Sequence, residues 1–151
     1  MVCEAGRPWG IGPGNPNLSE RIESGLLSYG GDTDDRTTPF EVRLGNYVNL
    51  DVADDVIGIA ALRCIHAAGP RRQQLGVILE GGEPDVLQSR WHAIWRNGCK
   101  LGELTNCTWS YRLGKNIGFA LISTECNAGD AVEVFSDEQK IPGKLTSLPF
   151  I

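Results

Sequence analysis

The 151-residue chain is poor in the residues that announce a site. It has two histidines, His66 and His92, and neither has a cysteine or carboxylate at a ligand-like local spacing. Its five cysteines are an odd number at irregular spacing without a C-x-x-C pair, which argues against a disulfide framework and against structural zinc. No metal site is expected. No stretch approaches the roughly 18 apolar residues of a membrane span, and the start Met1-Val2-Cys3-Glu4 lacks a basic-then-apolar signal. The expectation is a cytoplasmic protein with no membrane partner. Cations are also scarce, 14 Lys and Arg against 19 Asp and Glu, for a net charge of −5. With both halves acidic, counterion release from a phosphate backbone has no driver, so no nucleic-acid partner is expected. The triple Gly10, Gly12, Gly14 is followed by no G-K-[ST], and no G-x-S-x-G occurs. The pairs Asp34-Asp35 and Asp54-Asp55 lie in polar turns and read as solvated charge. No catalytic residues are assigned.

What is present is an ordinary core-forming composition, 41% hydrophobic, punctuated by 19 glycines and 8 prolines. That profile fits one globular domain or two small ones rich in tight turns. Residues 1–16 are too rich in Gly and Pro for a helix, with Trp9 and Ile11 as loop anchors. Asn17 with Glu20 three residues on, and Leu18, Ile22 and Leu26 on one face, predict a short helix over about 18–27. Val42, Leu44, Tyr47, Val48 and Leu50 read as one or two strands around a Gly45-Asn46 turn. A second helix starts at Asp54 or Asp55, shows a small-residue face (Ala60, Ala61, Cys64) and stops at Gly69-Pro70, with His66 at its end. Cys64 and Cys126 read as core residues.

Beyond Gln73 the period changes. Six short apolar runs (75–79, 91–95, 101–108, 117–123, 131–135 and 144–148) are separated by Gly-containing turns, of which Asn97-Gly98 is the strongest hairpin signal. The fold class is therefore α+β: a small α/β segment over 1–72 followed by an antiparallel β-barrel of Greek-key or jelly-roll type over 73–151. Trp91, Ala93 and Trp95 share one strand face, and the two indoles are expected to fill the barrel core.

Several ordered motifs carry a family resemblance. Glu20 to Gly30 resembles the L-R-[LI]-E-x-G-x-x-x-Y-G segment of the glycine-cleavage T-protein (aminomethyltransferase) family. Thr38-Pro39-Phe40-Glu41 resembles its T-P-x-E, Val56-Ile57-Gly58 with Ala61-Leu62 its F-I-G-x-x-A-L, and Arg71-Arg72 with Leu75-Gly76 its R-x-L-V-G-L. Gly114-Lys115-Asn116-Ile117-Gly118 and Leu148-Pro149-Phe150 match L-G-K-N-I-G and the terminal L-P-F. The stretch Asn15 to Tyr29 is more similar to the tetrahydrofolate-dependent dimethylsulfoniopropionate demethylases of that family. The run Leu104 to Tyr111 departs at three places from the usual V-T-S-G-x-x-S-P, and the K-G-C-x-x-G-Q-E of the tRNA-modifying relatives is absent.

The resemblance implies the carboxy-terminal two fifths of a one-carbon transferase, without the amino-terminal part that carries the catalytic aspartate and most of the folate pocket. It implies tetrahydrofolate as cofactor and a small methyl or aminomethyl donor as substrate once that part is supplied. The isolated chain is expected to be inactive, with a homodimer or a stand-alone binding module as the other outcomes. Arg21 matches a family arginine that faces the folate. A planar five-donor fork suits that task; an intrahelical ion pair with a glutamate is the plain alternative. Tyr29 walls the same pocket or packs in the core.

Overall fold

The computed structural model describes residues 2–12, 14, 17–82, 91–136 and 139–151. Six strands, β1 (Arg72–Leu79), β2 (His92–Arg96), β3 (Cys99–Ser110), β4 (Lys115–Ser123), β5 (Ala131–Ser136) and β6 (Gln139–Thr146), close into an antiparallel barrel in the order β1-β4-β3-β2-β5-β6, with β6 pairing back on β1. Strands 2, 3 and 4 run consecutively and β5 returns beside β2, which is a Greek key. Closure leaves no open sheet edge. The Asn97-Gly98 hairpin forms as the sequence predicts, both residues at positive φ (51° and 80°) between β2 and β3.

The barrel interior is narrow and filled by branched and small side chains: Val77, Leu79, Ile94, Leu104, Cys107, Ala120, Ile122, Val132, Val134 and Leu145. This corrects the expectation for the tryptophans. Along β2 it is His92 and Ile94 that face inward, while Trp95 lies on the outer face against Phe135, ring centroids 5.5 Å apart. A six-stranded barrel has less room than the eight-stranded kind whose interior side chains just fill, so indoles go outside. Trp91 bridges to the preceding segment, its Nε1 donating to the Gly31 carbonyl at 2.6 Å.

A second core forms on the outer face of β1 and β4. Ile117 and Phe119 pack there with Ile22 of α2 (Leu18–Glu23), and Leu18, Leu27, Ile78, Leu113, Leu148 and Phe150 surround them. Helix α2 has the capping box its sequence predicts: Asn17 Oδ1 accepts from the Glu20 N–H and Glu20 Oε2 accepts from the Asn17 N–H. It stops at Glu23 rather than near Leu27, because Gly25 at φ 74° ends the helix, with the Leu26 N–H returning to the Arg21 carbonyl.

Other expectations for the first half are corrected. Residues Val2–Gly6, which lack proline, form a short helix α1, followed by a 3₁₀ turn at Arg7–Trp9 with Pro8 in its first turn. Trp9 is 83% exposed and anchors nothing. The segment 42–50 is not a strand but turns around a 3₁₀ element at Gly45–Tyr47; the barrel is already closed and offers it no edge to pair with. Helix α3 begins at Ile59, not Asp54, after a left-handed Gly58, and runs to Ala68. Only Ile59 of α3 is buried, so Cys64 is exposed, whereas Cys126 is in the core. Among the described residues, no helix is long and apolar enough to cross a membrane.

Candidate functional site

The loop after α2 is tied to both the helix and the barrel. Arg21, on the barrel-facing side of α2, reaches out of the helix with Nη1 donating to Asp32 Oδ2 (2.5 Å) and to the Leu26 carbonyl (2.7 Å). Its guanidinium carbon lies 5.8 Å from the centre of the Phe119 ring. Asp32 is fully buried at its side chain, and it also accepts from the Ser28 N–H at 2.9 Å and from the Thr105 hydroxyl at 3.3 Å. Thr105 is available because β3 carries a bulge there: Leu104 pairs with Ala120 and Asn106 with Phe119, leaving Thr105 out of register. A bulge re-aims one side chain, and here it aims a hydroxyl at Asp32. The loop 26–32 is thus clamped between helix and barrel, with Tyr29 at its outer end.

Arg21 therefore makes a loop-holding ion pair, not an intrahelical one with a glutamate. Tyr29 is 74% exposed, so it has no core role. Its hydroxyl donates to Asp35, and that hydrogen bond, with the charges of Asp35 and Asp34, raises its pKa above the usual 10. The ring face is open. Among the described residues only Nη1 of the Arg21 guanidinium has hydrogen-bond partners, and the side chain is 15% exposed. An exposed phenol ring and a guanidinium with donors to spare are each of a chemistry that can contact a flat heterocycle.

Two further ties attach the segment to the barrel. Glu23, nearly buried, accepts from the Ser110 hydroxyl at 2.5 Å, and Phe150 N–H donates to the Glu23 carbonyl. Glu41 accepts from Arg72 Nε at 2.8 Å and from the Thr38 N–H at 2.8 Å. Burial alone pushes the Glu41 carboxyl up, but the hydrogen bonds from Arg72 and Thr38 outweigh it and hold its pKa below the usual value. Sequence reasoning missed Asp32, Thr105 and Glu23 as partners. Buried acids placed beside an apolar helix face were the available signal.

No group of three or more potential metal ligands occurs among the described residues. Asp34 pairs with Arg36 and Asp54 with Arg63, so each adjacent carboxylate pair contributes one member to a local surface ion pair.

The family model for the glycine cleavage T-protein C-terminal barrel domain matches residues 72–151, starting where β1 starts. The chain belongs to the glycine-cleavage T-protein family. It is 36% identical over 147 residues to the aminomethyltransferase of Cupriavidus taiwanensis, covering 96% of this chain and 36% of that one. It is also 36% identical over 118 residues to the dimethylsulfoniopropionate demethylase DmdA of Ruegeria pomeroyi, covering 78% of this chain and 31% of that one. The crystal structure of the glycine cleavage system aminomethyltransferase T from Bartonella henselae superposes with a TM-score of 0.77 over 88% of this chain at 23% identity, and shows the same fold. The chain spans a little over a third of the length of these T-proteins, 36% and 37%. The Asn15-Pro16 part of the demethylase-like stretch lies outside the described residues.

Proposed function

We propose that the chain is the carboxy-terminal part of a tetrahydrofolate-dependent one-carbon transferase, with 1–72 belonging to the folate-binding domain and 73–151 forming the barrel domain. Tetrahydrofolate, when bound, accepts the one-carbon unit. In this reading Tyr29 offers its ring to the folate, and Arg21 supports the same wall with its remaining donors while holding the 26–32 loop in place. The observation that carries the reading is that the residue resembling the family's folate-facing arginine is the one that clamps this loop, leaving Tyr29 exposed at its end.

The favoured donor is a sulfonium methyl, on the resemblance of residues 15–29 to the demethylases. Aminomethyl transfer is the second reading, favoured by the longer coverage of the Cupriavidus relative. The compartment is the cytoplasm, in keeping with five free cysteines, three of them exposed, which persist as thiols where the milieu is reducing. Of the eleven large hydrophobics left exposed among the described residues, nine lie before residue 72, including Tyr47 and a fully exposed Ile57. A surface of this kind marks an interaction face, and the rest of the family's fold is its natural cover.

The test is a transfer assay with tetrahydrofolate and either dimethylsulfoniopropionate or an aminomethyl donor. The purified chain is run alone and with the amino-terminal portion of the Cupriavidus aminomethyltransferase co-expressed. No turnover alone, since positioning and charge stabilisation come from elsewhere, and turnover on complementation that falls with Tyr29→Ala, is the expected result. Turnover by the chain alone overturns the reading.

A further inference from the structure

Arg43 stands where a glycine is expected. The chain from Pro39 to Leu44 closes with the Leu44 N–H on the Pro39 carbonyl at 2.9 Å, the six-to-one bond of a helix-ending turn, and the residue before the closing N–H must be left-handed. At the end of α2 the same closure, Leu26 N–H to Arg21 carbonyl, uses Gly25 at φ 74°. In the second turn the left-handed residue is Arg43, at φ 65°. Asn97 is the other non-glycine residue at positive φ among those described, and its hairpin turn accounts for it. An arginine gains nothing locally from this conformation, so its side chain has to supply the reason.

That side chain borders a cavity of about 410 Å³ between the barrel and the segment, lined by Arg43, Ser24, Leu26, Leu44, Tyr47 and Gln74 among others. Its guanidinium Nη1 lies 3.5 Å from where a Gly25 Cβ would stand. Six of the nine described arginines, 21, 36, 63, 72, 96 and 112, are paired with carboxylates, in a chain with an excess of acid; Arg43 is one of three, with Arg7 and Arg71, that are not, and of these three only Arg43 borders this cavity. The second observation is Gln74. It sits on the outer face of β1, is only 5% exposed and borders the cavity, and its side-chain amide has no protein partner among the described residues while staying open to the cavity rather than sealed from solvent. Its partner is whatever fills the cavity, water or a ligand group that replaces it. A guanidinium fork, an amide open to the cavity and the hydroxyl-bearing Ser24 and Tyr47 beside leucine side chains suit a small molecule with a carboxylate at one end and an apolar body at the other.

We propose that the cavity bordered by Arg43 and Gln74 binds a small organic carboxylate, with the carboxylate on Arg43 and the apolar body against Leu26 and Leu44. The site is separate from the folate reading, because neither Arg21 nor Tyr29 lines the cavity.

The test follows the Gln74 side-chain amide resonances of the full 151-residue chain by NMR during titration with sodium benzoate, and with benzyl alcohol as the uncharged counterpart. Saturable shifts are expected for benzoate, weakened about tenfold or more by loss of the charge in benzyl alcohol or by Arg43→Gly. Arg43→Lys should also weaken binding, as a point charge does not reproduce the fork. In the absence of ligand, Arg43→Gly should raise Tm by about 2–4 °C through relief of the left-handed backbone. A gain in stability with a loss of binding separates this role from a structural one. Unsaturable shifts, equal affinity for the two probes, equal affinity in Arg43→Gly, or a lowered Tm in that variant overturns the proposal. None of these outcomes depends on folate binding or transfer activity.

Discussion

Removing Arg21 should cost the molecule much of its stability, whatever its part in binding. The perturbation is Arg21→Ala, which strands the carboxylate of Asp32, a side chain with no exposure. Breaking a buried pair by deleting one partner costs about 3–5 kcal/mol. Here the Ser28 N–H at 2.9 Å and the Thr105 hydroxyl at 3.3 Å remain on Asp32, which places the loss near the lower end, about 3 kcal/mol. Against a typical total of about 5–15 kcal/mol that is a large fraction. Arg21→Lys keeps the charge but cannot hold Asp32 and the Leu26 carbonyl in the same way, so an intermediate loss is expected. In Arg21→Ala/Asp32→Asn no charge is left buried, and the loss should shrink to about 1 kcal/mol, a coupling of about 2 kcal/mol or more relative to the two single variants. Urea unfolding followed by circular dichroism gives each value, with a constant slope confirming that the unfolded state is unchanged. A loss below about 1 kcal/mol for Arg21→Ala, or strict additivity in the double variant, would refute the clamp.

Three further outcomes follow from the same contacts. Because Glu41 is held below its ordinary pKa in the folded state, its contribution is present above the unfolded value of about 4.3 and fades as pH falls through the folded one; Glu41→Gln should flatten the acid limb of stability measured by urea unfolding between about pH 5 and 2, and an unchanged slope would remove Glu41 from the acid transition. Cys107 is buried with its thiol pushed up to about 12 by desolvation, and Cys126 is buried too; a thiol reagent on the native chain should therefore label Cys3, Cys64 and Cys99 and spare those two, all five reacting in denaturant. A Cβ on Gly102 would stand 2.3 Å from the Leu121 carbonyl oxygen and 2.6 Å from the Ile122 Cα, backbone atoms that cannot swing away, so Gly102→Ala should abolish cooperative unfolding, and a native-like transition would show that β3 and β4 can separate there.

The strands were legible because each carries its own punctuation: Asn97-Gly98, Leu113-Gly114 and Ala128-Gly129 bracket β-rich runs, and the turn glycines at 98, 114 and 129 all have positive φ. The capping box of α2 was legible for the same reason, being written within four residues. The failures are where the outcome depends on what is nearby. Residues 42–50 have strand-like alternation, but a closed barrel has no edge for them. Trp95 lies on the outer face of β2 and Trp91 just before the strand; which face of β2 is inside depends on the barrel's bore, a property of six strands together. Tyr29 and Arg21 were located by resemblance, yet the partner that explains Arg21 is Asp32, eleven residues on in a turn whose course no local pattern predicts.

The geometry also explains why the segment and the barrel behave as neighbours rather than as beads on a string. Several ties between them use features that would be defects in an isolated barrel. The bulge at Thr105 interrupts the β3–β4 register, and its hydroxyl goes to Asp32. Trp91, an indole outside the barrel core, donates to the Gly31 carbonyl. Phe119 and Ile117 face out of the sheet and are covered by Ile22. Arg72, the first residue of β1, is matched by Glu41. A barrel cut after residue 72 would therefore expose an apolar outer face and leave Ser110 and Thr105 without Glu23 and Asp32 as partners. Isolated 73–151 is expected to bind a hydrophobic dye and to associate, whereas adding back 17–72 should suppress both. If 73–151 proved a monodisperse monomer that excludes the dye, the contacts along this seam would be too weak to place α2 and its loop, and the clamp around Asp32 would lose its foundation in the barrel.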